Sequence, residues 1–312
     1  MKGLEIVKKF YNEYGKDLIE ENFGELSSRI AIGLVGEGSE CFGYDDENSL
    51  DHDVDFNFCA FLSEKDYNEF GFRLERALSR LPKEFLGIKK NIVSPVGGNR
   101  RGVIVIEDFY ARYLGKNFSP ENLYSWFYAP SFAFAVATNG EVFRDDLGQF
   151  SAIRNKLKDG YPEDVRRKKI SAHLISCAQS GQYNYDRCVK HGETGASQLA
   201  VFEFVKNAIS LIYLLNNKYE PFYKWAYRGL RDLAILGELE IPLCALTETG
   251  NSKKQVVEKK EIIEDICSLI SKELLLENLI NCDGNDLEKH AYSVQATIRN
   301  NEIRNMNIFD GI

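Results

Sequence analysis

The chain reads as an α/β (α+β) protein: a small mixed sheet with flanking helices in residues 1–150, then an all-helical domain in residues 151–312. Three observations carry this. Apolar strand-like runs alternate with amphipathic runs up to about residue 150, as expected of a sheet covered by helices. After Phe150 the patterning becomes helical throughout. The length, 312 residues at 44% hydrophobic, is enough for two cores.

Leu4, Val7, Phe10, Tyr11, Tyr14, Leu18 and Ile19 recur at helical spacing, which predicts a packing helix within residues 1–28. Ile30 to Gly36 is the first strand, and Asp53 to Leu62 the second. Phe56, Phe58, Ala60 and Leu62 alternate with Asn57, Cys59 and Phe61, so the second strand turns apolar on both faces. Ser63, with Asp66 three residues on, caps a helix through Leu81. Lys89 to Pro95 is a weak strand, Gly97-Gly98-Asn99 a turn, Gly102 to Ile106 a third apolar strand, and Glu107 to Leu114 a helix. Ser119-Pro120-Glu121 is a helix start. Asn139-Gly140, between Phe132–Thr138 and Glu141–Arg144, offers a hairpin turn.

In the second half, Tyr161-Pro162 opens a basic helix whose run Arg166 to Lys169 wraps several faces and is expected to be solvated. Gly192 to Leu215 and Pro221 to Leu236 are further helices, the latter with Pro at its first position. Ile241 to Gly250 is a linker, and Gln255 to Ile280 and Leu287 to Ile303 are the last helices.

The net charge of −8 gives no global basic surface for duplex DNA. Lys and Arg still number 39, so a local basic patch is allowed. The most apolar segment, Leu199 to Leu215, contains Glu203, Lys206 and Asn207. It reads as a buried helix, so no membrane partner is expected. The first residues are acidic where a signal peptide needs an apolar run. Seven cysteines with no Cys-x-x-Cys pair fit reduced thiols in a cytoplasmic protein.

The chemistry concentrates between Val35 and Phe58. A strand enters a turn at Gly38-Ser39, a polar loop follows, and the next strand carries Asp51, Asp53 and Asp55 at alternate positions. Alternation puts the three carboxylates on one strand face. Like charges so placed call for a cation opposite them, a divalent metal first of all. Small residues let backbone N–H groups approach a phosphate chain. A calcium loop starting at Asp51 fails on spacing, since its sixth position is Phe56 and its twelfth Leu62. His52 points away from the aspartate face. Cys41 and Cys59 read as small buried hydrophobes.

Gly38-Ser39 followed by Asp-x-Asp resembles the nucleotidyltransferase superfamily of DNA polymerase β-like enzymes. More closely, Gly36-Glu37-Gly38-Ser39, Gly43, Asp45-Asp46, Ser49 and Asp51-His52-Asp53 resemble a domain-of-unknown-function branch of that superfamily. The similarity runs through Asp108-Phe109, Tyr113-Leu114-Gly115, Gly140 to Phe143, Tyr161-Pro162, Tyr183-Asn184-Tyr185, Arg187-Cys188 and Pro221 to Trp225, covering roughly residues 30 to 235.

The resemblance implies a nucleotidyltransferase-like domain at 1–150 and a cleft, against the helical domain, for Mg²⁺ (or Mn²⁺) and a nucleoside triphosphate such as ATP. It implies transfer of a nucleoside monophosphate to an acceptor hydroxyl. The acceptor, a small molecule, RNA or protein, stays open. Gly38 and Ser39 would hold phosphates, and Asp51, Asp53 and Asp55 metal. Two registers compete, Asp51/Asp53 and Asp53/Asp55, and Asp53 belongs to both. The third strand has no acid within it, so Glu107 at its end is the candidate third carboxylate, the base that would deprotonate the attacking hydroxyl. Lys224 and Arg228, four apart on one helix face, and Arg187 are the candidate phosphate cations. For Lys224 and Arg228, snorkelling from an aromatic packing helix is the competing reading. Arg187 and His191 are too close for the Arg-x₄₋₆-His motif of helical ribonuclease domains. Two other functions stay open: a nucleotide-binding pseudoenzyme or regulatory module of the same fold, and a toxin-like modifier of tRNA or protein.

Overall fold

A computed structural model describes residues 1–46, 56–89 and 100–312. The chain forms two compact units, Met1–Asp159 and Gly160–Ile312.

In the first unit, α1 (Gly3–Phe10), a wide π-turn (Tyr11–Gly15) and α2 (Lys16–Phe23) make one nearly continuous helical run. Its apolar face packs on a four-stranded mixed sheet. The strands are β1 (Ala31–Leu34), β2 (Cys59–Leu62), β5 (Gly102–Val105) and β6 (Glu141–Arg144), in the order β5-β2-β1-β6. β1 runs antiparallel to β2 and β6, and β2 runs parallel to β5. Glu84–Phe85 and Ile88–Lys89 form a separate small ribbon, β3 and β4.

β2 is buried at all four positions, and its side chains divide between two cores. Phe56, Phe58, Ala60 and Leu62 join Phe10, Ile19, Phe70 and Leu74 under the N-terminal helices. Phe56 meets Phe10 edge-on at 4.8 Å, a geometry that aromatic quadrupoles favour. Phe61 points the other way. It stacks on Phe150 of α9 (Gln149–Lys158) at 4.0 Å and meets Phe109 of α6 (Ile106–Leu114) at 5.3 Å. The sheet is thus a middle layer with helices on both faces.

Ser63 accepts from the Asp66 N–H and starts α4 (Glu64–Asp66), which continues through a π-turn into α5 (Phe72–Leu78). The Asp66 carboxylate pairs with Arg29 instead of closing the capping box. Three expected elements differ. β2 starts at Cys59, and the expected start at Asp53 lies outside the described residues. The helix near Ser119 is α7 (Leu123–Tyr128), capped by Asn122, whose side chain accepts from Tyr124 N. Phe132–Thr138 is not a hairpin arm but part of α8 (Ser131–Thr138), leading directly to β6. Its Ala and Phe content suits a buried helix as well as a strand, an ambiguity that periodicity does not resolve.

Gly140 explains how β6 docks. It has φ +63°, and a Cβ there would collide with the Leu34 carbonyl oxygen. Only glycine permits this approach of two backbones. The expected strand over Lys89–Pro95 beyond Lys89, and the turn at Gly97-Gly98-Asn99, fall outside the described residues.

The second unit is helical. Its axis is α10 (Glu163–Cys177), packed against α12 (Thr194–Leu215) and α16 (Leu287–Ala296). α12 is long and apolar enough to cross a membrane by length and composition, yet two-thirds of its most apolar window is buried inside the unit. α11 (Tyr185–Lys190), α13 (Tyr223–Leu230), α14 (Glu240–Glu248), α15 (Lys253–Leu276) and α17 (Asn301–Arg304) complete it.

Here too expectations are corrected. The span Ile241–Gly250 is largely helix: Pro242 sits in the first turn of α14, where its missing N–H costs nothing. α13 begins at Tyr223 and ends at Leu230, so Pro221 precedes its cap instead of opening it. The last helix breaks between Ala296 and Asn301. The basic run Arg166 to Lys169 is not solvated. Arg166, Lys168 and Lys169 are buried. Arg166 Nε donates to the Leu214 carbonyl at 2.8 Å, and its other end pairs with Glu277. Lys168 Nζ donates to Ile308 O at 3.0 Å and Lys169 Nζ to Gly311 O at 3.1 Å. Each buried ammonium has an acceptor, as burial demands.

Burial depresses Lys169 to about 8, below the unfolded lysine value. The folded state therefore resists the proton that the unfolded state keeps. This penalty is complete below about pH 8 and is relieved as pH rises towards 10.5. In urea titrations, wild type is expected to gain about 2 kcal/mol relative to Lys169→Met between pH 7 and pH 10.

Candidate functional site

The antiparallel pairing of Gly33 with Cys59, and the parallel pairing of Cys59 with Gly102, fix one end of the sheet. There the C-terminal end of β1 meets the N-terminal ends of β2 and β5. Val35 to Gly43 leaves β1 at this end as a tight turn. Gly36 and Gly38 have φ +114° and +121°, and Ser39 opens a one-turn helix, α3 (Ser39–Phe42), closed by Gly43 at φ +71°. A Cβ is disfavoured at such φ values, so the turn depends on its glycines.

Two clamps hold the turn. Asn139 grips Gly36 from the β6 side: Gly36 N donates to Asn139 Oδ1 at 2.9 Å, and Asn139 Nδ2 donates to Gly36 O at 2.7 Å. Gly140 N donates to Cys41 O at 2.7 Å. From the β5 side comes Arg101, only 9% exposed. Its Nη2 donates to Glu40 Oε1 at 2.5 Å and to the Glu37 carbonyl at 3.0 Å. Arg100 pairs with the Glu37 carboxylate at 3.0 Å. Both glutamates of the turn are therefore matched by arginines. The Glu40 carboxylate lies against Gly38, on the side where a Cβ would project.

Cys41 and Cys59 are buried beside Arg101. Burial pushes the Cys41 thiol up to about 12, although the Arg101 charge pulls it the other way. It is protonated at neutral pH and unsuited to nucleophilic work. Asp45, from the Asp45-Asp46 pair, is buried and ties the turn to the N-terminus. Gly3 N donates to its Oδ2 at 2.7 Å, and Lys2 Nζ donates to its carbonyl oxygen.

Gly38 and the half-buried Ser39 thus lie at the sheet end where Phe58 and Arg101 also lie. Asp51, Asp53 and Asp55, with His52 and Ser49, fall outside the described residues. Among the described residues no cluster of three His, Cys, Asp or Glu side chains is spaced to hold a metal ion. Glu107 is not brought to the turn. β5 runs parallel to β2, with Gly102 beside Cys59 and Val105 beside Leu62. Glu107 follows Val105 at the opposite end of the sheet, exposed on the first turn of α6. Its place at a strand's end was readable in the sequence, but the strand's direction was not.

The remaining candidates belong to the second unit. Lys224 is exposed on α13, its ammonium 5.0 Å from the Trp225 ring centroid. Arg228, one turn on, pairs with Asp232 at 3.4 Å. Arg187 is exposed on α11 and donates to Tyr183 Oη at 3.0 Å. The sequence reading missed Arg100, Arg101 and Asn139. A doubled arginine directly before an apolar strand was the available signal for the first two. Nothing local marked Asn139 beyond its turn propensity.

A family model described as a domain of unknown function (DUF4037) matches residues 126–226, less than half of the chain. The matched region runs from α7 to α13 and does not include the Gly38-Ser39 turn. No curated protein and no solved structure matches the chain.

Breaking one side of the Arg101–Glu40 pair leaves a buried charge unmatched. Arg101→Met and Glu40→Gln are each expected to cost about 3 kcal/mol in urea unfolding. The double variant should cost clearly less than their sum, because the two losses share one interaction.

Proposed function

We propose that the chain is a metal-dependent nucleotidyltransferase, moving a nucleoside monophosphate from a triphosphate to an acceptor hydroxyl. The observation that carries the reading is the register of β1 on β2. Gly38-Ser39 leaves β1 at the sheet end where β2 begins, and the sequence entering β2 holds Asp51, Asp53 and Asp55. A glycine-serine turn at the sheet end where β2 begins, with an Asp-x-Asp segment shortly before β2 in the sequence, suits positioning and charge stabilisation, the main requirements of phosphoryl-group chemistry.

In this reading Gly38 and Ser39 contact phosphate oxygens through backbone N–H groups and the Ser39 hydroxyl. Asp51, Asp53 and Asp55 hold Mg²⁺ or Mn²⁺, which supplies Lewis-acid charge to the phosphates when bound. Arg101 positions the turn from beneath.

A second reading is favoured by the position of Glu107. With no acid contributed by β5 at the Gly38-Ser39 end, among the described residues, the same site suits nucleotide binding without transfer. Pyrophosphate release in the presence of candidate acceptors separates the two readings.

The test is calorimetric titration of MgATP, and of the other triphosphates, into wild type and Asp53→Ala. Asp53→Ala should bind about tenfold more weakly or worse, a loss of at least about 1.4 kcal/mol. Equal binding by both proteins would remove the assignment. Lys224→Ala in the same titration tests the cation suggested by resemblance.

A further inference from the structure

Residues 281–286, Asn-Cys-Asp-Gly-Asn-Asp, connect α15 to α16 in the second unit. The loop is pinned. Gln182 Nε2 donates to Asn285 O at 2.8 Å, and Leu287 N donates back to Gln182 Oε1 at 3.1 Å. Asp286 caps α16 by accepting from Lys289 N at 3.1 Å.

Behind the loop stands His290 of α16, only 1% exposed. Its Nε2 lies 3.0 Å from the Gly284 carbonyl and its Nδ1 lies 3.6 Å from Cys282 Sγ. A carbonyl can only accept, so Nε2 carries the ring proton. Nδ1 then presents its lone pair to the Cys282 thiol. Gly284 has φ +110°, a conformation that glycine adopts freely.

Cys41, Cys59, Cys177 and Cys267 are buried, whereas Cys188, Cys244 and Cys282 are partly open to solvent, and of these three Cys282 is the one with a histidine ring nitrogen at its sulfur. The arrangement has the three parts of an activated nucleophile: an accessible thiol, a base within reach, and a third group that fixes the base's tautomer. The charged neighbours are Asp283 and Asp286 on the loop, Lys289 on α16, paired with Asp286 at 3.3 Å, and Glu264 on α15, held by Asn285.

We propose that Cys282 is a nucleophilic modification site with His290 as its base, and that it accepts low-molecular-weight disulfides. The Cys282 S–H gives its proton to His290 Nδ1. The thiolate attacks one sulfur of a disulfide, forming a Cys282 mixed disulfide as the disulfide's own S–S bond breaks. The departing thiolate takes the proton from the His290 imidazolium and leaves as a thiol. The Cys282 sulfur is oxidised, the departing sulfur is reduced, and no other reactant is needed. This site is independent of the nucleotide reading.

The test uses the full-length folded chain and oxidised glutathione at pH 7, with mass-spectrometric readout of the Cys282 peptide. A synthetic peptide of residues 278–289 in the same buffer gives the rate of an unassisted thiol. Cys282 in the folded chain should react about tenfold faster than the peptide, the gain expected of a thiol with a base within hydrogen-bond reach. His290→Gln, with folding checked by thermal melting, should bring the rate down to the peptide's or below. A folded wild-type chain that reacts no faster than the peptide overturns the proposal, and this comparison decides alone should His290→Gln not fold. An unchanged rate in folded His290→Gln overturns it equally.

Discussion

The first unit depends on how one buried guanidinium finds its acceptors. Arg101 enters at the start of β5 and is almost wholly removed from water. A charge so placed requires matched oxygens. It takes the Glu40 carboxylate and the Glu37 carbonyl from the turn after β1. A strand at one edge of the sheet is thereby tied to a turn that leaves an inner strand. Asn139 and Gly140 tie the same turn to β6 at the other edge. Three strands from distant parts of the sequence thus fix one glycine-rich turn, leaving little freedom in where Gly38 and Ser39 sit.

The second unit meets a related demand differently. α10 carries its cations into the core and matches them mainly with backbone carbonyls, at Leu214, Ile308 and Gly311. A carbonyl satisfies an ammonium without adding a second desolvated charge, so each pairing avoids one of the two penalties of a buried ion pair. The cost stays with the lysines, whose ammonium forms are harder to keep. This explains why Lys168 and Lys169 are both depressed to about 8 by burial. The helix that looks most soluble in its first turns is the one the unit is built around.

What was legible in the sequence was local. Short apolar runs marked β1 and β5, and a serine three residues before an acid marked the start of α4. The Gly38-Ser39 turn was readable because glycine is required at its positive-φ positions. The failures arose where partners lie far apart in sequence. Lys168 meets Ile308, and Arg101 meets Glu40, across spans that no window covers. A charge run was taken as solvated because its acceptors were invisible. Phe132–Thr138 was offered as a hairpin arm because a short apolar run carries no period of its own. The span around Pro242 was taken as a linker because proline was counted as a breaker, although the first helical turn tolerates it.

The charge balance at the turn bears on the function more closely than the motif does. Glu37 and Glu40 are each already matched by an arginine. A triphosphate approaching Gly38-Ser39 therefore meets no surplus of positive charge from β5 and instead meets a carboxylate lying against Gly38. Phosphate oxygens can replace that carboxylate on Arg101 only if Glu40 withdraws, and a withdrawn Glu40 adds to the acidity of a segment already rich in aspartate. Either course leaves negative charge to be neutralised. The nucleotidyl-transfer reading meets that demand with the divalent cation that Asp51, Asp53 and Asp55 would hold. A reading without metal has to find cations elsewhere and also explain the three alternate aspartates that follow the turn in the sequence. In the proposed function metal and nucleotide are therefore a single requirement, because the turn alone, with its arginines already matched by Glu37 and Glu40, is a poor anion site.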